Sequence, residues 1–248
     1  MQPGSNEMEV LRVEVAAPAT SFRYPHFLIG KQVTYEMPPP STIYGHVASA
    51  LGELPDPNSF RFGYHFRTGG RSADLEHQHV ITAGGAPFED DGRKYRTSVQ
   101  ATVQPHLREF LFRPVLTLYL DRPDWLNAFR FPTFCVILGR SQDLATITRC
   151  ERVTLRRQDA AYFEHTLLPF SLRPHLGIGS TITMARHVEN TANRRANFER
   201  YIVLRERAFA GPGDGAVSSS QRILDPPPGG FWVDEDVPKD RGSACSRF

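Results

Sequence analysis

A run of three prolines, at positions 38–40, leads directly into an apolar segment and constrains this chain more than any other feature. Consecutive prolines cannot lie inside a strand or a helix, so they predict a rigid, extended arm. Ser41 is a suitable N-cap for a helix that we expect from about residue 42 to 51, because Ile43 and Val47 recur at helical spacing. The first turn of such a helix favours an anion such as phosphate, although the segment taken alone fits an ordinary capped helix packed on a sheet.

The length and composition are those of a globular protein. With 248 residues and 40% hydrophobic content, the chain is long enough to bury a core in one large domain. No apolar run approaches the roughly 20 residues that cross a bilayer, and the N-terminus lacks a secretion signal. The three cysteines, Cys135, Cys150 and Cys245, have neither metal-ligand spacing nor a disulfide pattern. We therefore expect a cytoplasmic protein with reduced cysteines and without a cofactor, a metal ion or a membrane contact.

Arginine supplies most of the positive charge. The formal net charge is +2, and the only lysines are Lys31, Lys94 and Lys239. The positive excess lies between residues 93 and 157, whereas residues 234–236 are acidic. The guanidinium group offers several planar donors that suit phosphate, so a basic centre with an acidic tail indicates a nucleic-acid partner. Codon usage in a GC-rich genome would explain the preference for arginine but not its clustering.

Hydrophobic periodicity predicts the order of the core elements. Alternating or continuous apolar patterns indicate strands, and helical spacing indicates helices. In chain order we expect a strand at 8–15, a helix at 42–51, strands at 60–67 and 108–120, a short helix at 123–129, and strands at 134–138 and 150–157. This β-α-β, β-α-β order is that of a ferredoxin-like or RRM-type α+β fold.

A polar segment interrupts that order. Residues from about 68 to 105 contain paired glycines and short β-like runs, which predict a protruding β-hairpin rather than core. The core, including this insertion, would cover residues 8–157. We expect a smaller, β-rich C-terminal unit at 158–236 and a flexible tail at 237–248.

Two groups of residues are candidates for contact with RNA. The strand at 60–67 alternates cleanly, so its aromatic residues predict a core face and leave Arg61 and Arg67 on the opposite face. The loop 139–142 follows the apolar run at 134–138, and its glycine lets the backbone approach a ligand while its arginine offers a fork for phosphate. A Gly-Arg pair after a strand is more often a plain turn, so this motif alone is weak.

Six segments, in the same order along the chain, together resemble one family. They are residues 21–25, 31–35, 38–45, 108–111, 134–145 and 231–234. In this combination the chain resembles the Cas-five family of CRISPR-associated RAMP proteins, and the resemblance covers most of residues 8–157. It implies an RRM-like (RAMP) core in which the insertion at 68–105 is a β-hairpin thumb.

The resemblance also implies a function. It suggests an RNA-binding structural subunit of a type I CRISPR Cascade surveillance complex, of the I-B kind, that grips the 5′ handle of the CRISPR RNA (crRNA) in antiviral defence. The thumb would contact the backbone subunits, the large PAM-reading subunit would dock beside it, and the target DNA would be reached through the complex. The residues expected to bind RNA are Lys31, Ser41, Thr42, Tyr44, Arg67, Arg108, Gly139, Arg140, Ser141 and Gln142.

Enzymatic alternatives stay open at the level of sequence. Some members of the family process CRISPR repeat RNA without a metal ion, using tyrosine, lysine and histidine for acid–base chemistry. Tyr44, His46 and Lys31 could form such a set, since His46 lies off the apolar face of the predicted helix and is expected to be exposed. The proline-rich version of this segment resembles relatives that work beside a separate nuclease, which favours a non-catalytic role. A small-molecule enzyme on the same scaffold is the third alternative.

Overall fold

A central antiparallel sheet organises the fold in the computed structural model, which describes residues 6–27, 30–83, 87–95, 99–175, 178–210, 231–234 and 244–245. The strands, in chain order, are β1 (Glu7–Ala16), β2 (Ala19–Thr20), β3 (Lys31–Gln32), β4 (Phe62–Arg67), β5 (Gly70–Ala83), β6 (Phe88–Asp90), β7 (Arg93–Tyr95), β8 (Val99–Phe112), β9 (Val115–Leu120), β10 (Thr146–Gln158), β11 (Ala161–Phe163), β12 (Thr166–Pro169), β13 (Ser180–Val188), β14 (Ala196–Leu204), β15 (Ala208–Ala210), β16 (Phe231–Val233) and β17 (Ala244–Cys245). The helices are α1 (Pro40–Leu51) and α2 (Leu126–Arg130), and 3-10 turns lie at Pro123–Trp125 and Phe170–His175. Within the described ranges, no helix is long and apolar enough to cross a membrane.

The four core strands follow the ferredoxin-like order. Their sequence of neighbours is β10-β1-β9-β4, and every neighbouring pair is antiparallel. Helix α1 connects β1 to β4, and α2 lies between β9 and β10, which confirms the predicted α+β, RRM-type core. The strand predicted at 150–157 is the fourth core strand, β10.

Helix α1 begins earlier than predicted. It starts at Pro40 with Pro39 as N-cap residue, and no side chain caps it, so the predicted N-cap role of Ser41 is wrong. A proline at the first helical position has no N–H in need of a partner, which makes a side-chain cap less necessary. The helix ends at Gly52, whose φ of +82° is readily adopted by glycine.

The predicted insertion forms a long β-hairpin, residues 70–112, which we call the thumb. Its strands β5 and β8 pair antiparallel along their whole lengths, and the short hairpin of β6 and β7 lies between them in the chain. Because β8 continues to Phe112, the single strand predicted at 108–120 is wrong. Arg113 adopts a φ of +46° and Pro114 has no N–H, so the chain leaves the thumb there and enters the core sheet as β9.

The apolar run at 134–138 is not a strand of the core sheet, which corrects the prediction. It belongs to a loop that follows α2 and lies along α1, where the Phe134 N–H donates to Ser49 O at 3.1 Å. The edge of β1 that such a strand would need is occupied by β10. Leu138 is fully buried, but Phe134 is 61% exposed, so only part of the run serves the core.

Part of the sheet face opposite the helices is buried within the chain. Strands β16 and β17 extend the sheet beyond β10, and Trp232 packs against a buried cluster that includes Val10. Arg12 projects into this face, where it is buried and its Nη1 donates to Asp234 Oδ2 at 2.7 Å. The Tyr119 hydroxyl donates to the same oxygen at 3.0 Å. Bases therefore cannot stack on this face as they do on the open sheet of an RRM.

The strands after β10 lie against the core. The sheet β12-β14-β13 contributes Met184 and Val203 to the core cluster, and a second cluster surrounds Phe163. A separate unit at 158–236 stays a prediction. Apart from β17, the predicted tail at 237–248 lies outside the described residues.

Acid should destabilise the fold through His65. Burial, together with the neighbouring Arg67 and His165, lowers the pKa of His65 from 6.5 to about 4. The Glu164 carboxylate, 3.9 Å from Nε2, is too distant for a hydrogen bond and does not reverse this effect. Since the unfolded chain takes up the proton first, the stability contribution is complete above pH 6.5 and is lost as the pH falls toward 4.

Urea unfolding over a series of pH values tests this effect. Between pH 6.5 and pH 4, His65→Asn should lose less stability than the wild type, by roughly 2–3 kcal/mol. The same pH dependence in both proteins would contradict a buried, neutral imidazole at this position.

Removing the carboxylate of Asp234 should be far more costly than removing an exposed one. Asp234→Ala removes a carboxylate whose negative charge neutralises the buried Arg12 guanidinium. The free energy of unfolding should fall by about 3 kcal/mol. Glu9→Ala is the matched control, because its partner Arg152 is half exposed at 3.5 Å and such pairs contribute about 0–1 kcal/mol. Denaturant midpoints compare the two variants, and similar losses would argue against a structural role for the buried pair.

Candidate nucleic-acid interface

Four cations from separate segments lie in two ion-paired groups at the base of the thumb, one around Glu109 and one around Glu76. Arg108 and Glu109 are successive residues of β8, so the two groups lie on opposite faces of the hairpin. Lys31 lies on β3, which pairs in parallel with β8. Arg71 lies on β5, Arg108 on β8, and Arg140 on the loop that precedes β10. We call these four residues the cation cluster. Lys31, Arg108 and Arg140 were predicted from the sequence to bind RNA. The fold joins Arg108 and Arg140 through Glu76, whereas Lys31 lies with Arg71 in the other group.

Each member of the cation cluster contacts a carboxylate. Glu109 Oε1 lies 3.0 Å from Lys31 Nζ, and its other oxygen accepts from Arg71. Burial alone would raise the pKa of Glu109, but Arg71 and Lys31 lower it overall, so this carboxylate is charged at neutral pH. Glu76 lies between the other two cations and contacts both guanidinium groups. The predicted phosphate-binding groups are thus held in place by acidic partners.

Gly139 is required by the packing of its own loop. Its φ is +106°, and a Cβ at this position would lie 2.9 Å from Ser21 O and would collide with the Thr20 hydroxyl. The same hydroxyl donates to Leu138 O. The sequence suggested that this glycine lets a ligand approach, whereas the structure gives it an internal role. Its contact with RNA stays a prediction.

Asp143 fixes the direction of Arg140. Its carboxylate is buried and accepts from the Arg140 N–H at 3.0 Å, from the Ser21 N–H at 3.1 Å and from Arg140 Nη2 at 2.8 Å. Burial lowers the pKa of Arg140, but Asp143 and Glu76 outweigh this and raise it overall. The guanidinium is therefore charged and oriented before any ligand binds.

The remaining predicted contacts lie at the ends of elements. Ser141 and Gln142 are exposed at the tip of the loop, where Ser141 Oγ donates to Gln142 Oε1 at 3.5 Å. Arg67 is exposed at the end of β4, just before the chain enters the thumb. Ser41 and Thr42 are half-buried in the first turn of α1.

A cavity of about 400 Å³ lies between α1, β4 and the hairpin of β13 and β14. Tyr44 lines it, and its hydroxyl donates to Pro57 O at 3.0 Å. The ring of Tyr44 meets Phe60 and Phe62 edge to face. The cation cluster does not line this cavity, so the predicted RNA residues divide into two places. Among the described residues, no group of three or more histidine, cysteine or acidic side chains is placed to hold a metal ion.

His46 is buried, which corrects the expectation that it is exposed. It is 5% exposed, lies beside the ring of Phe129, and has its Nδ1 3.4 Å from Ile137 O. Burial lowers the pKa of His46 despite the Ile137 carbonyl, so the imidazole is neutral at pH 7. Tyr44 lies two positions earlier on α1 and faces another side, and Lys31 belongs to the cation cluster. The three predicted catalytic residues are therefore not brought together.

Sequence analysis missed Arg71 and the acidic partners of the cation cluster. Arg71 lies in a polar insertion with no motif around it. Asp143 follows Arg140 by three residues, a spacing typical of a tight turn, and was a readable signal. Glu76 is 64 residues from Arg140, so its role emerges only from the tertiary structure.

The RRM-like core, the β-hairpin thumb and the basic thumb base define a protein of the RAMP class. A profile of the family described as CRISPR-associated protein (Cas_Cas5) matches residues 10–175, which is more than half of the chain. The chain therefore belongs to this CRISPR-associated family, as the sequence resemblance predicted. Comparison with curated proteins gave no significant match.

Three solved structures resemble this chain at low sequence identity. A chain of a CRISPR RNA-guided surveillance complex is 18% identical with a TM-score of 0.49, and the match covers 82% of this chain and 94% of that one. A chain of the Type III-B Cmr-beta complex bound to cognate target RNA and AMPPnP is 11% identical with a TM-score of 0.42, covering 79% and 85%. A structure described as a Cas protein is 14% identical with a TM-score of 0.37, covering 80% and 94%. The family assignment rests on the profile match alone.

A methyl group at Gly139 should disrupt the loop. Gly139→Ala adds both the strain of a positive φ and a collision with the backbone of Ser21, and should lower the free energy of unfolding by at least about 2 kcal/mol. Gly45→Ala is the matched control, because its Cβ meets nothing within 4 Å and alanine favours a helix. Denaturant unfolding should show opposite signs for the two variants, and a neutral Gly139→Ala would contradict the close packing.

Proposed function

We propose that the chain is the RNA-binding structural subunit of a type I CRISPR effector complex and grips the 5′ handle of the crRNA at the thumb base. The observation that carries this proposal is the cation cluster, in which two ion-paired groups place Lys31, Arg71, Arg108 and Arg140 at the thumb base. Arginine forks and a lysine suit phosphate oxygens, and the family assignment gives a CRISPR-associated context.

The acidic partners set the way in which RNA binds. A phosphate oxygen would replace Glu76 on Arg108 and Arg140, and would replace Glu109 on Lys31, so binding is an exchange of anions. The guanidinium groups are already oriented by their carboxylates, which lowers the entropy lost when RNA arrives. The displaced Glu76 is one-third exposed and can turn toward water.

The thumb supports contacts with neighbouring subunits. Leu75 lies opposite Leu107, and Val103 and Ile81 follow on the same face of the hairpin because facing residues share a side. All four side chains are exposed. An apolar stripe on a protruding hairpin is suited to burial against a partner, so we assign this face to the backbone subunits of the complex. The large PAM-reading subunit would dock beside the thumb base, and target DNA would be reached through the assembly.

The role is one of binding and assembly rather than catalysis. A metal-independent ribonuclease needs an acid and a base within reach of the 2′-hydroxyl. The buried His46 and its separation from the cation cluster favour the binding role over the nuclease alternative.

Binding and cleavage can be followed in one experiment. Labelled CRISPR repeat RNA is incubated with the full chain, and in parallel with the co-expressed complex, in EDTA at two salt concentrations. Lys31→Ala should weaken binding and reduce the slope of log K against log salt by roughly 0.7, the value for one phosphate contact on a single strand. Arg152→Ala, on β10 and paired with the exposed Glu9, is the control and should leave the slope unchanged. Cleavage at one position, or salt-independent binding, would overturn the proposal.

Neutralising Glu76 should strengthen RNA binding. Glu76→Gln removes the anion that competes with phosphate at Arg108 and Arg140, so we expect a gain in affinity of several-fold at low salt. Glu89→Gln, on the short β6–β7 hairpin, removes the same single negative charge from the protein and so controls for the change in net charge. Equal gains in both variants, measured by fluorescence anisotropy, would reject the exchange of anions at the thumb base.

A further inference from the structure

The cavity beside Tyr44 is built from groups that the proposed function does not use. Arg186 on β13 and Glu199 on β14 form one wall, with Arg186 Nη1 3.1 Å from Glu199 Oε1. The Tyr201 hydroxyl donates to Glu199 Oε2 at 3.0 Å. Phe62 and Tyr44 form the other wall. A cavity of about 400 Å³ with aromatic walls and a few converging polar groups has the size and character of a small-ligand site.

Arg186 occupies an unusual backbone position. The pairing of β13 with β14 shifts register between Ala185 and His187, so Arg186 is the extra residue of a β-bulge. Bulges redirect a side chain and occur often beside binding sites. Its guanidinium reaches Glu199 and, at 3.5 Å, Asn58 Oδ1 on the far side of the cavity. The hydrogen bond that Arg186 donates to Glu199 raises the pKa of Arg186, so the group is a permanent cation.

The polar wall offers a carboxylate and a guanidinium side by side. Arg186 and Glu199 are each more than one-third exposed, so both can turn toward a ligand. A carboxylate accepts two hydrogen bonds from a pair of adjacent N–H groups, and a guanidinium donates to neighbouring acceptors. Guanine alone among the RNA bases presents two adjacent donors, N1–H and N2–H, next to the acceptor O6. Adenine, cytosine and uracil each lack that second adjacent donor.

We infer that this cavity binds a guanine base, with Glu199 on N1–H and N2–H, Arg186 on O6, and the Tyr44, Phe62 and Tyr201 rings against its faces and edges. The base would belong to a nucleotide of the bound RNA or to a free guanine nucleotide. The inference that the base belongs to bound RNA rests on the proposed function. Aromatic contact with an unstacked base and hydrogen bonds to its pairing edge are how proteins read single-stranded RNA.

Base preference gives the first test. Two labelled oligouridines, one with a single internal guanosine and one with adenosine at that place, are titrated with the full chain by fluorescence anisotropy. We expect the guanosine RNA to bind about tenfold more tightly, since one good bidentate contact discriminates at this level. The preference should vanish in Glu199→Gln and fall in Arg186→Lys. It should persist in Glu189→Gln, which alters an exposed carboxylate on the turn of the same hairpin.

The place of contact gives the second test. An oligouridine carrying 6-thioguanosine is cross-linked by light, and the modified peptide is identified by mass spectrometry. Cross-links to Tyr44, Phe62 or Tyr201 support the cavity. Competition by GMP would extend the site to free guanine nucleotides, and its absence would restrict it to guanine in RNA.

The failure of the two proposals can be told apart. Equal affinities for the two RNAs, or cross-links confined to the thumb base, would overturn the guanine site and leave the proposed function intact. If neither RNA binds, the proposed function fails, and thermal unfolding with GMP decides the cavity alone. A GMP-dependent rise in melting temperature that Glu199→Gln abolishes would support the site, and no rise would overturn it.

Discussion

The buried carboxylate of Asp143 is the interaction on which the thumb base depends. It accepts hydrogen bonds from the backbone of Ser21, from the backbone of Arg140 and from the Arg140 guanidinium. Burying a charge costs several kcal/mol unless its partners are in place, so the loop, the segment after β2 and the arginine must adopt their positions together. From Arg140 the contacts continue through Glu76 to Arg108, which ties the loop to both strands of the thumb. Asp143 therefore sets where Arg140 lies, and Arg140 shares Glu76 with Arg108.

A second buried charge pair lies on the side of the core sheet opposite the helices. Arg12 and Asp234 meet on the sheet face that an RRM leaves open, with Trp232 packed beside them. This face is occupied by the chain's own residues, so the scaffold keeps its RRM-like order of strands without its usual surface for bases. Loops, strand ends and the thumb are the surfaces that remain for a polyanion.

The success of sequence analysis depended on whether local pattern and tertiary role agreed. The alternation at 8–15 and the helical spacing at 42–51 are local patterns that the fold keeps, so the strand and the helix were predicted, although the helix begins earlier, at Pro40. The strand predicted at 134–138 is wrong because β10 occupies the edge of β1 that it would need. No local sequence pattern reveals this competition between two segments for one edge. The expected exposure of His46 was wrong for a related reason, since α2 and its following loop cover the side of α1 that would otherwise face water.

The candidate site was predictable in its cations but not in its anions. Lys31, Arg108 and Arg140 could be chosen from charge and family resemblance, whereas Glu76 and Glu109 join them only through the register of β5 with β8. This difference matters physically, because a cation held by a carboxylate is a different binding group from a solvated one. It is oriented in advance, and part of the attraction to phosphate is offset by the anion that must leave. The net affinity of each contact is then modest, so a tight grip on RNA requires several contacts made together along the backbone, as a cluster spread over four segments of chain allows.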